Sequence, residues 1–161
     1  MIILVRCDDR LIHGQFMTII TKEYKPDRVV VVDDVTASNS ILRTVFEKAV
    51  PESMEGGVYT VEDSIEKIKT SMEDDSRTIL LMKSPEVYLE LLKRFDDLPK
   101  TLNIGPMSSR SGTISVHPSI NVLPKEADAI KEAVDLAAEV YFQQVPSQNR
   151  IDWEDVKDKF N

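Results

Sequence analysis

Two patterns of apolar residues alternate along the chain. Short, mostly apolar runs occur at Ile2–Val5, Val29–Val32, Thr78–Met82 and Leu102–Ile104, and Val140–Gln143 looks like a last strand. Runs this short, apolar on consecutive residues, predict strands buried on both faces of a parallel sheet. Between them, apolar residues recur at spacings of three and four. Phe16, Ile19 and Ile20 form one stripe; Leu42, Val45, Phe46 and Ala49 another; Ile65, Ile68 and Met72 a third. Tyr88, Leu91, Leu92 and Phe95, and then Ile130, Ala133, Val134 and Ala137, repeat the pattern. Each set lies on one side of a helix and is expected to cover the sheet as core. Helix-start signals agree: Thr60 followed by Asp63 resembles a capping box, and Ser84-Pro85 sets a cap before a first-turn proline. Strand–helix alternation predicts an α/β fold, an open and mostly parallel sheet flanked by helices on both faces.

Two stretches break the rhythm. Residues 105–112, GPMSSRSG, predict a surface loop around Arg110, and Pro146–Asn149 a turn. Residues 151–161 predict a short amphipathic helical tail carrying Ile151, Trp153 and Val156. No linker divides the chain, so residues 1–161 are expected to form a single domain, a size that folds without disulfide or metal.

Composition narrows the function classes. The net charge of −8 disfavours nucleic acid as the main partner, because phosphate backbones want a basic surface. One cysteine and two histidines leave no internal disulfide, no Cys-cluster zinc site and little for a multi-histidine metal centre. No apolar run approaches the roughly 20 residues of a membrane span, and the early acidic residues are unlike a signal peptide. A cytoplasmic protein is the expectation.

Ligands of open α/β sheets bind beyond the carboxyl ends of the strands. The first such end is Arg6-Cys7-Asp8-Asp9-Arg10-Leu11-Ile12-His13-Gly14-Gln15. His13 and Gly14 stand at the expected mouth of the first helix, where free N–H groups favour phosphate. A neutral imidazole is a competent nucleophile for phosphorus. Arg6 and Arg10 are candidates for neutralising the transferring oxygens, and Asp9 for orienting an arginine or the imidazole. Other readings stay open: the arginines pairing with Asp8 and Asp9 as surface charges, or Cys7 as the phosphorylated nucleophile rather than a small buried hydrophobe. A third is a magnesium-dependent aspartyl-phosphate domain like a receiver, using Asp8, Asp9, Asp33 and Asp34 with Lys83. A non-enzymatic binding module is the alternative from another class, although neither G-x-G-x-x-G nor G-x-x-x-x-G-K-[ST] occurs.

The segment from Arg6 to Gln15 resembles the R-I-D-D-R-L-I-H-G-Q signature of the IIB component of the mannose/fructose/sorbose-type sugar phosphotransferase system. Val30–Ala37, Leu102–Met107 and Tyr141–Pro146 resemble later segments of that family in the expected order. The resemblance implies a phosphocarrier enzyme. His13 would accept a phosphoryl group from a phosphohistidine on a IIA protein and pass it to a sugar entering through the membrane components IIC and IID. Arg10 and Arg6 would bind the phosphate together with backbone N–H groups around Ile12, Gly14 and Gln15, and Asp9 would orient. The group is carried covalently on His13, so no metal or cofactor is expected. The partners would be IIA, IIC, IID and the sugar, with no nucleic acid and no direct membrane insertion. A regulatory paralogue with the same fold is the alternative. Two positions depart from the family pattern: Cys7 stands for isoleucine and Pro106 for the second glycine of N-I/V-G-G-M. Loop 105–112, with Met107 and Arg110, is a candidate rim for the partner.

Overall fold

In a computed structural model describing residues 1–161, every apolar run of the sequence is a strand. The order is β1 Ile2–Cys7, α1 Gly14–Tyr24, β2 Arg28–Val32, α2 Asp34–Ser38, α3 Ser40–Lys48, β3 Glu55–Tyr59 and α4 Val61–Glu73. There follow β4 Thr78–Met82, α5 Pro85–Arg94, β5 Thr101–Ile104, β6 Ile114–His117, β7 Ile120–Val122, α6 Pro124–Asp135, β8 Glu139–Phe142, β9 Ile151–Asp152 and α7 Trp153–Val156. A 3-10 turn, Lys157–Phe160, ends the chain. Seven strands form one sheet in the order β3-β2-β4-β1-β5-β8-β9. All its pairings are parallel except β8 with β9. β6 and β7 make a separate antiparallel hairpin. No helix is long and apolar enough to cross a membrane.

The unbroken runs have the expected cause. Val29, Val31, Ile79 and Leu81 face one side of the sheet, where they pack with Phe16, Met17 and Ile20 of α1. Val30, Val32, Leu80 and Met82 face the other, against α4, α5 and α6. Both faces are covered, so alternation disappears from the sequence. The Thr60 cap is in place, its hydroxyl accepting from Asp63 N–H at 3.1 Å, whereas Ser84 makes no side-chain cap bond before Pro85.

Several expectations are corrected. The stripe on α3 is not core: no residue of α3 is buried, and Ile41, Leu42 and Val45 are exposed, while only Phe46 is packed on the sheet side. α3 lies against the edge strand β3, where one side of a helix has sheet beneath it and the rest has none. Ala137 also leaves its stripe, because α6 ends at Asp135 and Ala137 adopts φ 69° beyond it. β3 was hidden by Gly56-Gly57, which lack side chains because Val50 and Tyr59 fill the space that Cβ atoms would need. The tail is more than a helix: Ile151-Asp152 first adds a short strand against Phe142 and Tyr141.

The contrast between sheet and α3 is testable. Leu80→Ala, in a strand paired on both edges and fully buried, should lose about 2–5 kcal/mol of unfolding free energy in urea titration. Val45→Ala should stay within about 0.5 kcal/mol of the parent.

Candidate active site

The site grows from the C-terminal end of β1. Arg6 and Cys7 are still in the strand, and Asp8 extends the ladder one step further by donating its N–H to Met82 O at 2.9 Å. The chain then turns, with Leu11 N–H closing onto Asp8 O at 3.0 Å. Leu11 takes φ 54°, a left-handed conformation that costs an L side chain about 1 kcal/mol. Its fully buried side chain sits in the core beneath α1 and holds the turn there. Ile12 is buried beside it, so the residues left facing outward are Arg10, His13, Gly14 and Gln15.

His13 is the N-cap of α1. Its Nδ1 accepts the Phe16 N–H at 3.2 Å, so the neutral ring carries its proton on Nε2. Nε2 is sealed from solvent without a hydrogen-bond partner, 3.6 Å from Asp8 Oδ2. Burial, and then the Arg10 guanidinium, hold the imidazole pKa below its ordinary 6.5 despite Asp8. The ring is therefore mostly neutral at pH 7. Around it, the first-turn N–H groups of Gly14 and Gln15 have no intrahelical acceptor. A Cβ at Gly14 would meet no protein atom within 4 Å, so nothing in the chain itself demands glycine there.

The carboxylate beside the imidazole is Asp8, which the sequence reading did not single out for that place. Asp8 is 0% exposed. Oδ1 accepts the Arg10 backbone N–H at 3.1 Å and Nε at 3.4 Å; Oδ2 faces Arg6 Nη2 at 3.4 Å and His13. Asp9, expected to orient, instead fastens the loop across the site: it accepts the Ser108 N–H at 2.6 Å and the Ser108 hydroxyl. Arg10 is half exposed, and its two terminal nitrogens have no partner in the chain.

Arg6 is placed differently from Arg10. It is 3% exposed, and burial lowers its pKa. Nη1 donates to Asn103 Oδ1 at 2.5 Å and Gln143 O at 3.2 Å, and Nη2 to Gln144 O at 2.8 Å and to Asp8. The guanidinium carbon lies 5.3 Å from the Phe16 ring centroid. Gly105 passes so close that any Cβ there would collide with the guanidinium. Asn103, Gln143 and Gln144 belong to the site and were missed. Asn103 left a signal, a polar residue inside an apolar run, buried at 3%. Gln143 and Gln144 contribute backbone carbonyls, which leave no signal in side-chain chemistry.

Loop 105–112 is tied down rather than free. Met107, taken as a candidate partner rim, is 1% exposed and belongs to the core. Arg110 makes a two-pronged pair with Glu126 at 2.9 and 3.2 Å. Pro106 uses its carbonyl, accepting the Asp9 N–H at 3.1 Å. The magnesium reading loses its geometry. Asp33 caps α2 through Thr36 and pairs with Lys83 at 3.5 Å, and Asp34 accepts the Val61 N–H. No group of three or more His, Cys, Asp or Glu residues converges to hold a metal. Cys7 is wholly buried, and burial raises its thiol pKa well above the ordinary value, which leaves little of the reactive thiolate.

A cleft lined by Arg6, Arg10, His13, Gln15, Phe16 and Gln144 opens at this end of the sheet. The chain is 33% identical over 156 residues to a probable phosphotransferase enzyme IIB component of Streptococcus pyogenes, covering 94% of this chain and 96% of that one. It is 27% identical to the sorbose-specific EIIB component of Klebsiella pneumoniae, over 99% of this chain and 95% of that one. The crystal structure of the IIBSor domain of the K. pneumoniae sorbose permease superposes with a TM-score of 0.87 at 27% identity, covering 99% and 96% of the two chains. The mannose-specific EIIAB component of Escherichia coli is 27% identical over 98% of this chain, which spans 49% of that protein. The family model of the phosphotransferase-system sorbose-subfamily IIB component matches residues 2–161, across this fold and this site, and the chain belongs to that family.

Proposed function

We propose that this IIB component, a phosphotransferase of a sugar-uptake system, carries the phosphoryl group on His13 Nδ1. The observation that carries the reading is the imidazole clamped at the mouth of α1, with Nε2 sealed against Asp8 and the Nδ1 lone pair at the helix N-terminus. Nδ1 attacks phosphorus of a phosphohistidine on a IIA protein. One P–N bond forms as the other breaks, and the proton stays on Nε2. The ring becomes cationic, and the Asp8 carboxylate stabilises it. The Phe16 N–H, released by Nδ1, turns to a phosphoryl oxygen together with the N–H groups of Gly14 and Gln15. The free end of Arg10 pairs with the remaining oxygens. Arg6 acts from below by holding Asp8 and the Gln143–Gln144 carbonyls in place. Transfer of this kind rests on positioning and electrostatics, so the protein's own cations suffice. In the second step a sugar hydroxyl oxygen attacks the same phosphorus; the P–O bond forms as the P–N bond breaks, Nδ1 leaves as neutral imidazole, and the hydroxyl proton passes to water.

The donor is a IIA protein and the acceptor a sugar delivered by membrane IIC and IID components. The EIIAB relative supports the first of these, since its printed name joins an A and a B part in one chain. The protein works in the cytoplasm and meets the membrane through those partners.

Two outcomes test the reading. Phosphoenolpyruvate, the general carrier proteins and a mannose-family IIA protein, with EDTA present, should label the chain with an acid-labile, alkali-stable phosphate. His13→Ala should keep the circular dichroism of the parent and take no label; a labelled mutant overturns the assignment. The pH profile has a definite sign. A lowered imidazole pKa means that the nucleophile stays neutral further into acid than an ordinary histidine. The acceptance rate should therefore fall toward acid with a midpoint below 6.5, the ordinary imidazole value. Arg10→Ala, which removes a cation that lowers that pKa, should move the acid limb upward in pH and slow transfer at every pH.

A further inference from the structure

The catalytic end of the sheet carries a feature that phosphate chemistry does not use. Val35 on α2 is 71% exposed, and Ile41 and Val45 on α3 are 74% and 58% exposed, with Leu42 beside them. Isolated apolar residues on a surface are ordinary, but here four large ones share two consecutive helices, rimmed by Asp34, Ser38 and Arg43. Helix α3 has no buried residue at all, so its sequence spends apolar side chains on a face that the monomer leaves in water.

Topology sets this face beside His13. Helix α2 leaves the C-terminal end of β2, and the Asp8–His13 turn leaves the C-terminal end of β1; the two parallel strands are separated by β4 alone. Asp34 bonds the Val61 N–H at the start of α4, which keeps the first turn of α2 at that end. α3 then runs back toward the start of β3, so Ile41 and Leu42 lie near the catalytic end and Lys48 far from it. The two sites also share a face of the sheet, because Phe46 of α3 packs in the same apolar cluster as Phe16, Met17 and Ile20 of α1. A protein that brings a phosphohistidine to His13 comes within reach of that rim.

We propose that the exposed face of Val35, Ile41, Leu42 and Val45 is part of the seat of the IIA protein, which meets it with an apolar patch of its own next to its phosphohistidine. This rests on His13 being the phosphoryl acceptor. The opposite rim is a poorer seat, since Met107 is buried there and Arg110 is engaged by Glu126.

The test separates docking from chemistry. Ile41→Glu, Val45→Glu and the control Leu136→Glu are compared; Leu136 is exposed past the far end of α6, on the other face. His13 is labelled either by phosphoramidate, a small donor that needs no protein surface, or by a phosphorylated mannose-family IIA protein. The expected result is parental labelling by phosphoramidate in all three variants. With phospho-IIA, KM should rise about tenfold or more for Ile41→Glu and Val45→Glu, with kcat little changed, and not for Leu136→Glu. An unchanged KM overturns the proposal. If onward transfer to sugar in membrane vesicles fails instead, the face belongs to a membrane component; if light scattering shows loss of a dimer, it belongs to a second copy. A parent labelled by phosphoramidate but not by phospho-IIA overturns the docking and leaves His13 standing. A parent labelled by neither overturns the phosphocarrier reading itself.

Discussion

The site depends on one carboxylate with no access to water. Asp8 collects the Arg10 backbone N–H, the Arg10 and Arg6 guanidiniums and the His13 imidazole around two oxygens. An isolated carboxylate in that place would cost several kcal/mol, and even a paired one contributes little net stability. What the pairing contributes is position. The backbone of Asp8 continues the β1–β4 ladder through Met82 O, so the carboxylate is held by the sheet rather than by a loop. A sealed anion at a strand end in turn fixes which imidazole nitrogen carries the proton and which one faces the helix mouth.

The two arginines of the turn divide their labour by depth. Arg6 lies under the turn, its terminal N–H groups spent on Asn103, on the carbonyls after β8 and on Asp8. It ties three neighbouring strand ends, those of β1, β5 and β8, into one floor. Glycine at 105 is what makes that depth available. Arg10 stands at the surface, one nitrogen on Asp8 and two free. A buried guanidinium whose terminal nitrogens are already engaged is a poor ligand for an arriving phosphate, whereas a half-exposed one held at its base can turn its free edge to it.

The two sides of the Asp8–His13 turn also differ in finish. Toward β5, Asp9 clasps Ser108 and Glu126 holds Arg110, so loop 105–112 is part of the scaffold. Toward β2, the helices that follow Asp33 keep their polar groups satisfied by caps at Asp33 and Asn39 and present apolar side chains outward.

The sequence alone determined the strands that lie in the middle of the sheet and the helices that cover them, because both patterns are local. A strand buried on two faces must be apolar at every residue, and a covering helix at every third or fourth. It also determined that His13, the two arginines and the helix mouth fall within ten residues, which no folding event can separate far. Tertiary structure decided what depends on distant partners. Glycines in β3 and the two-residue length of β9 erased their local signal. The stripe of α3 became surface because the helix stands at a sheet edge. Asp8 rather than Asp9 met the imidazole because Asp9 was taken by Ser108, 99 residues away. Arg6 was buried by Asn103 and Gln144, 97 and 138 residues away. Adjacent acids and nearby arginines are chemically alike in a list; the register of β1 against β4 and β5 gives each a different neighbour, and the neighbour sets its role.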